Sequence, residues 1–248
     1  MKRFLKMKYL PLAVLGSGII TYLLRTLLWV SGIGGTDDRG LLPTGSLPDV
    51  LSWVMVGLTL AFLGFCVYFL RGNNKYSNNF SASLPASLGM ILAAASFCVT
   101  ALVELTAGAD AVGTASSLFG ILATFALIAL AYGRYKGFRP NMLLHSIVCV
   151  YLMFYLVSHY RLWSSAPQLQ SYAFELLAIV FVMLACYQRA AFDAGKGNRQ
   201  GYTFFTLAAL YFCIAALPGC DNPVFFLGAA AWMFFTPCKL TLPVKKES

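Results

Sequence analysis

The sequence predicts an all-α, polytopic transmembrane helical bundle of about eight spans. Three observations carry this. The 248 residues are 59% hydrophobic and only 11% charged, against roughly 25% charged in soluble domains. The mean hydropathy is +0.74. The apolar residues fall in long runs, most of about the length that crosses a hydrocarbon core, with short polar links between them. A soluble chain this apolar could not cover its own surface. No stretch is polar enough for a separate soluble domain, so residues 1–248 read as one integral-membrane unit.

The elements follow in order. Lys2, Arg3, Lys6 and Lys8 make the start basic, and span one runs over 9–30. That run is too long for a signal-peptide core, holds Arg25 and lacks a clear small-residue cleavage site, so it reads as an uncleaved first span. A polar link with Asp37, Asp38, Pro43 and Pro48 leads to span two, 50–70. Span three covers 84–107, and the turn at Gly108-Ala109-Asp110 leads to span four, 112–132. A basic link precedes span five, 142–160. Span six covers 169–187, and a polar, basic link precedes span seven, 201–217. The turn from Pro218 to Pro223 leads to span eight, 224–238, which is short for a crossing.

The charges test this count. With the N-terminus inside, the inner segments hold Lys2, Arg3, Lys6, Lys8, Arg71, Lys75, Arg134, Lys136, Arg139, Arg189, Lys196, Arg199, Lys239, Lys245 and Lys246. The outer ones hold only Arg39 and Arg161. Every link then obeys the positive-inside rule, with both termini cytoplasmic. Omitting span eight would put three lysines outside. The net charge of +9 is therefore topology information and gives no reason to expect nucleic acid. The prolines fall at span ends or in links, as the helix ladder requires. An aromatic followed by arginine recurs at the inner ends of spans two, four and six: Tyr68 and Arg71, Tyr132 and Arg134, Tyr187 and Arg189. It reads either as tandem hairpins or as the interfacial anchoring that any such span needs.

Ionisable groups at membrane depth are the best functional pointer. These are Arg25, Glu104 and Glu175, all in the outer third of their spans. Ser17, Thr21 and Arg25 repeat every four residues, as do Ser96, Thr100 and Glu104. Each set is a polar stripe on one helix face that should turn inward. The natural pairing is Arg25 with Glu104, leaving Glu175 as a second partner or a free acid. Tyr151, Tyr155 and Ser158–His159 share a face of span five, and Tyr172 shares the face of Glu175. Arg25, Glu104, Glu175, His159, Tyr155 and Tyr172 are thus the candidate ligand-binding residues of an outward-opening polar pocket. The rival reading is structural, in which Arg25 snorkels and an Arg–Glu bridge locks helices. Gly57 and Gly64, and Gly113, Ser117, Gly120 and Thr124, form small-residue stripes suited to close helix packing.

Other chemistry finds little support. The seven cysteines show no CxxC and no Cys/His spacing for zinc, and most lie in apolar runs where a thiol acts as a small hydrophobe. His145 and His159 lie about 21 Å apart on one helix, which disfavours a haem held by paired histidines; His145 reads as interfacial. Ala194-Gly195-Lys196-Gly197 lacks the rest of a phosphate loop and reads as a flexible link. No catalytic motif, cofactor or metal is expected.

Tyr160-Arg161-Leu162-Trp163, Pro167-Gln168-Leu169-Gln170 and Tyr187-Gln188-Arg189-Ala190-Ala191-Phe192-Asp193-Ala194-Gly195 resemble stretches of uncharacterised multi-span membrane proteins of anaerobic Gram-positive bacteria. The resemblance implies a bacterial plasma membrane and carries over no functional residue. The expectation is a binding or transport-type component of the bilayer, taking a small molecule or ion in its outer half. The alternatives are a subunit that packs against a membrane-protein partner or a second copy of itself, and, third, an intramembrane enzyme.

Overall fold

The computed structural model describes residues 9–30, 45–68, 76, 79–108, 110–163 and 169–237. The expected features at Lys2 to Lys8, Asp37, Asp38, Arg39, Pro43, Arg71, Lys75, Pro167, Gln168 and Cys238 to Lys246 lie outside the described residues. Within them the chain forms eight helices and no strand. These are α1 (Leu10–Val30), α2 (Leu47–Tyr68), α3 (Leu84–Thr106), α4 (Ala111–Lys136), α5 (Met142–Trp163), α6 (Leu169–Asp193), α7 (Arg199–Ala216) and α8 (Pro223–Phe235). Six of them, α1 to α6, are long and apolar enough to cross a membrane.

Helix ends follow local chemistry. Ser83 caps α3, with Pro85 in the first turn where a missing N–H costs nothing. Asp110 caps α4 by accepting from the Gly113 N–H at 2.9 Å. Asn198 caps α7 through the Gln200 N–H. α4 ends on Gly137 at φ 79°, a left-handed position natural to glycine. Several helices overrun the expected apolar spans: α4 continues to Lys136, α5 to Trp163 and α6 to Asp193. Apolarity marks membrane depth, whereas the helix ladder continues until a cap stops it. α8 is the opposite case. Its α-helical part stops at Phe235, and these 13 residues rise only about 20 Å; the Thr236 N–H still donates to the Trp232 carbonyl, a tighter turn follows at Pro237, and the expected end at 238 lies outside the described residues.

The helices α3, α4, α5, α6 and α7 pack each on the next, and α1 and α2 lie against the outer side of α7. α8 enters between α3 and α7. Close approach there depends on small residues, since a Cβ on Gly228 would fall within 2.3 Å of the Ser96 Cβ. Phe225 of α8 stacks on Phe97 of α3 (centroids 4.9 Å) and on Tyr155 of α5 (4.3 Å). α7 is sheathed by its neighbours, with Leu207 to Cys213 fully buried. The side chains facing away from the bundle on α1, α2, α4 and α5 are large and apolar, as a lipid-facing surface requires. A second, small cluster of Tyr76, Phe80, Phe192 and Tyr202 lies at the end where α4 and α6 finish and α7 begins. We call this the Arg189 end, and the opposite one, where α3 meets α4, the Asp110 end.

Candidate functional site

The polar stripe on α1 turns inward as its spacing predicts, but onto α7. Thr21 Oγ1 and the Tyr211 hydroxyl share a hydrogen bond of 2.7 Å. One turn on, Arg25 donates from Nη1 to the Ala215 carbonyl at 2.6 Å, with its guanidinium 4.1 Å over the Phe174 ring. Both α1 residues are buried. Glu175, next to Phe174 on α6, is also buried and lies within electrostatic reach of Arg25 and Asp221. Tyr172 is half-buried against the core. The expected Arg25–Glu104 pairing does not form; among the described residues, Glu175 is the carboxylate that comes first within electrostatic reach of Arg25. The reason is topological. α1 packs on α7 and α2, whereas α3, which carries Glu104, packs on α4 and α8.

Glu104 belongs to a separate site. Its Oε2 accepts from the Ser117 hydroxyl of α4 at 3.2 Å. Its Oε1 lies 3.8 Å from His159 Nε2, too far for a hydrogen bond, and is buried without an acceptor's partner. His159 is held by α5 itself, with Nδ1 3.0 Å from the Tyr155 carbonyl. The Asn222 amide sits 3.2 Å from His159 Nε2 and 3.2 Å from the Tyr155 hydroxyl. An amide N–H can only donate. With the amide in this orientation, Nδ1–H donates to the carbonyl and Nε2 accepts from Asn222. Asn222 is free to do this because its side chain does not cap α8.

These groups line an open cavity of about 550 Å³ at the Asp110 end, with Glu104, Asp110, His159, Arg161, Asp221 and Asn222 on its wall. Behind the wall, Tyr155 packs against the His159 ring with centroids 4.0 Å apart and stacks on Phe225, both rings being buried. At the rim Arg161 Nη1 donates to Asp110 Oδ2 at 2.8 Å, both side chains being more than half exposed. Asp110 is held below the ordinary carboxylate range, chiefly by the Gly113 N–H and further by Arg161. The Cys220 thiol, in the turn between α7 and α8, is pushed up to about 12, mostly by burial and then by Glu175. It is thus a poor nucleophile at neutral pH.

The six expected residues therefore divide. Glu104 and His159 line the cavity, with Tyr155 buried behind His159, while Arg25, Glu175 and Tyr172 are not on its wall. Sequence reasoning missed Asp221 and Asn222, though the signal was present: two polar residues directly before Pro223, at the start of a helix. His145, read from the sequence as interfacial, is buried within the protein in the first turn of α5, with Nδ1 2.9 Å from Asp193 Oδ2, close but not aligned for a hydrogen bond. The Ala194 to Gly197 segment forms a compact turn, where Gly195 takes φ 76° and the Lys196 N–H donates to the Ala191 carbonyl. No protein-family model, curated protein or solved structure matches this chain.

Proposed function

We propose that the protein is an eight-span binding or transport-type component that takes a small cationic or amine-bearing ligand into the cavity at the Asp110 end. The observation that carries this reading is the cavity's charge. Of its ionisable wall residues, Arg161 is engaged with Asp110, which leaves Glu104 and Asp221 as net acid. A volume of about 550 Å³ is in the usual range for a small-molecule site. The buried Glu104 Oε1 lacks a hydrogen-bond donor, and a ligand N–H would supply one. Arg25 and Glu175 would hold α1 to α6 and α7 behind this wall.

The positive-inside pattern supports placing this end outside and both termini in the cytoplasm. The resemblance of the 160–195 region supports a bacterial plasma membrane. Without a nucleotide motif, any transport would draw on a gradient or on a partner subunit. The test is a titration of the full chain in nanodiscs with methylammonium, tetramethylammonium and spermidine, against their neutral isosteres. Saturable binding of the cations, weakened about tenfold or more by Glu104→Gln, is expected for a lost charge-assisted hydrogen bond. Equal response to cations and isosteres would end the reading.

One observation favours the subunit reading as an alternative. The α4 stripe is used within the chain, with Gly120 against Ala101 and Tyr151. On α2, a Cβ at Gly57 or Gly64 would meet nothing within 4 Å, so that stripe is open to a partner helix. Crosslinking from Gly57→Cys in native membranes distinguishes a protein neighbour from lipid.

A further inference from the structure

The other end of the bundle has the opposite chemistry. Tyr132 and Tyr187 face outward and are largely exposed, whereas Arg134 and Arg189, two residues further on, turn inward and are 2% and 4% exposed. The recurring aromatic–arginine pair thus does more than anchor the interface, since the tyrosine faces lipid and the arginine enters the protein. The Arg189 guanidinium lies 3.4 Å above the Phe80 ring and 4.9 Å from Tyr76, to whose hydroxyl Nη2 donates at 3.1 Å. Arg134 lies over the same Phe80 ring at 5.2 Å. The two like charges are near enough to disfavour each other. Phe192 and Tyr202 meet Phe80 edge-on at 5.1 and 5.5 Å and each other at 5.8 Å, so the three rings form a triangle.

Two facts remain unexplained by packing. Arg189 Nε and Nη1 are buried with no acceptor, although buried donors are nearly always satisfied. The charge at this end is also one-sided. Among the described residues it carries Arg134, Lys136, Arg139, Arg189, Lys196 and Arg199, against Asp193 alone, and Asp193 faces His145. Like charges are brought together under low dielectric where an anion joins them.

We infer that Arg189 and Arg134, mounted on the Phe80 ring, form a phosphate-binding site at the end of the bundle opposite the cavity. Arginine is the residue suited to such a group, because its planar fork matches phosphate oxygens. Basic pockets between helix ends on the cytoplasmic side are where anionic lipid headgroups bind. A soluble phosphate compound presents the same chemistry. The phosphate would accept from Arg189 Nε and Nη1, and its charge would relieve the repulsion between the two guanidinia.

The test uses the full chain in two arms. Native mass spectrometry follows its release from phosphatidylcholine nanodiscs containing a minority of phosphatidic acid. Calorimetry follows inorganic phosphate added to delipidated protein in a neutral detergent. The expected result is retention of phosphatidic acid over phosphatidylcholine by about tenfold or more, abolished by Arg189→Gln. Heat from inorganic phosphate assigns the site to phosphate as such, and lipid retention without that heat assigns it to the headgroup. If Arg189→Gln fails to insert, Arg134→Lys takes its place, with an expected partial loss of retention. No preference in either arm overturns the site, and so does a preference unchanged in the variant that inserts.

Discussion

The two ends of the bundle use similar side chains to opposite effect. At the Asp110 end a histidine, a carboxylate and an arginine surround an open cavity. Glu104 and His159 stop 3.8 Å short of a close pair, and Asp110 and Arg161 meet at the exposed rim. At the Arg189 end a histidine and a carboxylate lie 2.9 Å apart and wholly buried, and arginines press on a shared ring. Composition does not distinguish these settings. Helix packing does: α8 begins at the cavity with Asn222 and leaves space beside α3 and α5, while the far end closes over Phe80, Phe192 and Tyr202. An acid that a ligand can reach is suited to exchange, whereas a buried, fully packed one holds helices together.

Phe80→Ala should break the contrast most. It removes the ring beneath two guanidinia, and a loss of about 3–5 kcal/mol is expected, read as reversible unfolding in bicelles, with the cavity's ligand response retained in whatever fraction remains folded. His145→Leu should follow closely. Asp193 would then be buried without its polar neighbour, which costs about 1–3 kcal/mol; a change below about 1 kcal/mol would show that the two ends are energetically alike. Glu104→Gln should shift stability by less than about 1 kcal/mol, since its partners are loose and partly wetted, while reducing binding of cationic probes tenfold.

The smallest effect sharpens the comparison by pH. The folded Asp110 carboxyl is depressed, by the Gly113 N–H first, so its support is present above its unfolded value, near pH 4. It is lost as pH falls through the folded value. Asp110→Asn should therefore matter in thermal melts at pH 6 and converge with the parent chain as acidification protonates the folded carboxyl. A difference that grew on acidification would contradict the cap.

How much was legible in the sequence differs by residue. The inward turn of Thr21 and Arg25 was legible because a period of four leaves one helix face polar. The meeting of Tyr155 and His159 was legible for the same reason, both lying on α5. The partner of Arg25 was not, because choosing between Glu104 and Glu175 depends on which helices are neighbours. Asp221 and Asn222 read as turn residues until α8 brought them over His159. The neighbour of His145 was not legible, because depth along a helix does not reveal which side carries another helix, and Asp193 comes from α6.

By itself the sequence determined the class, the long apolar helices and the faces of each that turn inward. These follow from local periodicity and from the cost of placing backbone and charge in hydrocarbon, quantities that one segment carries alone. Only the tertiary structure decided that α8 lies between α3 and α7, that the acids divide between an open cavity and a buried core, and that Arg134 and Arg189 share one ring. Those outcomes rest on the neighbours of each helix, which are set by close packing of small residues such as Gly228 against Ser96, contacts between segments far apart in the chain.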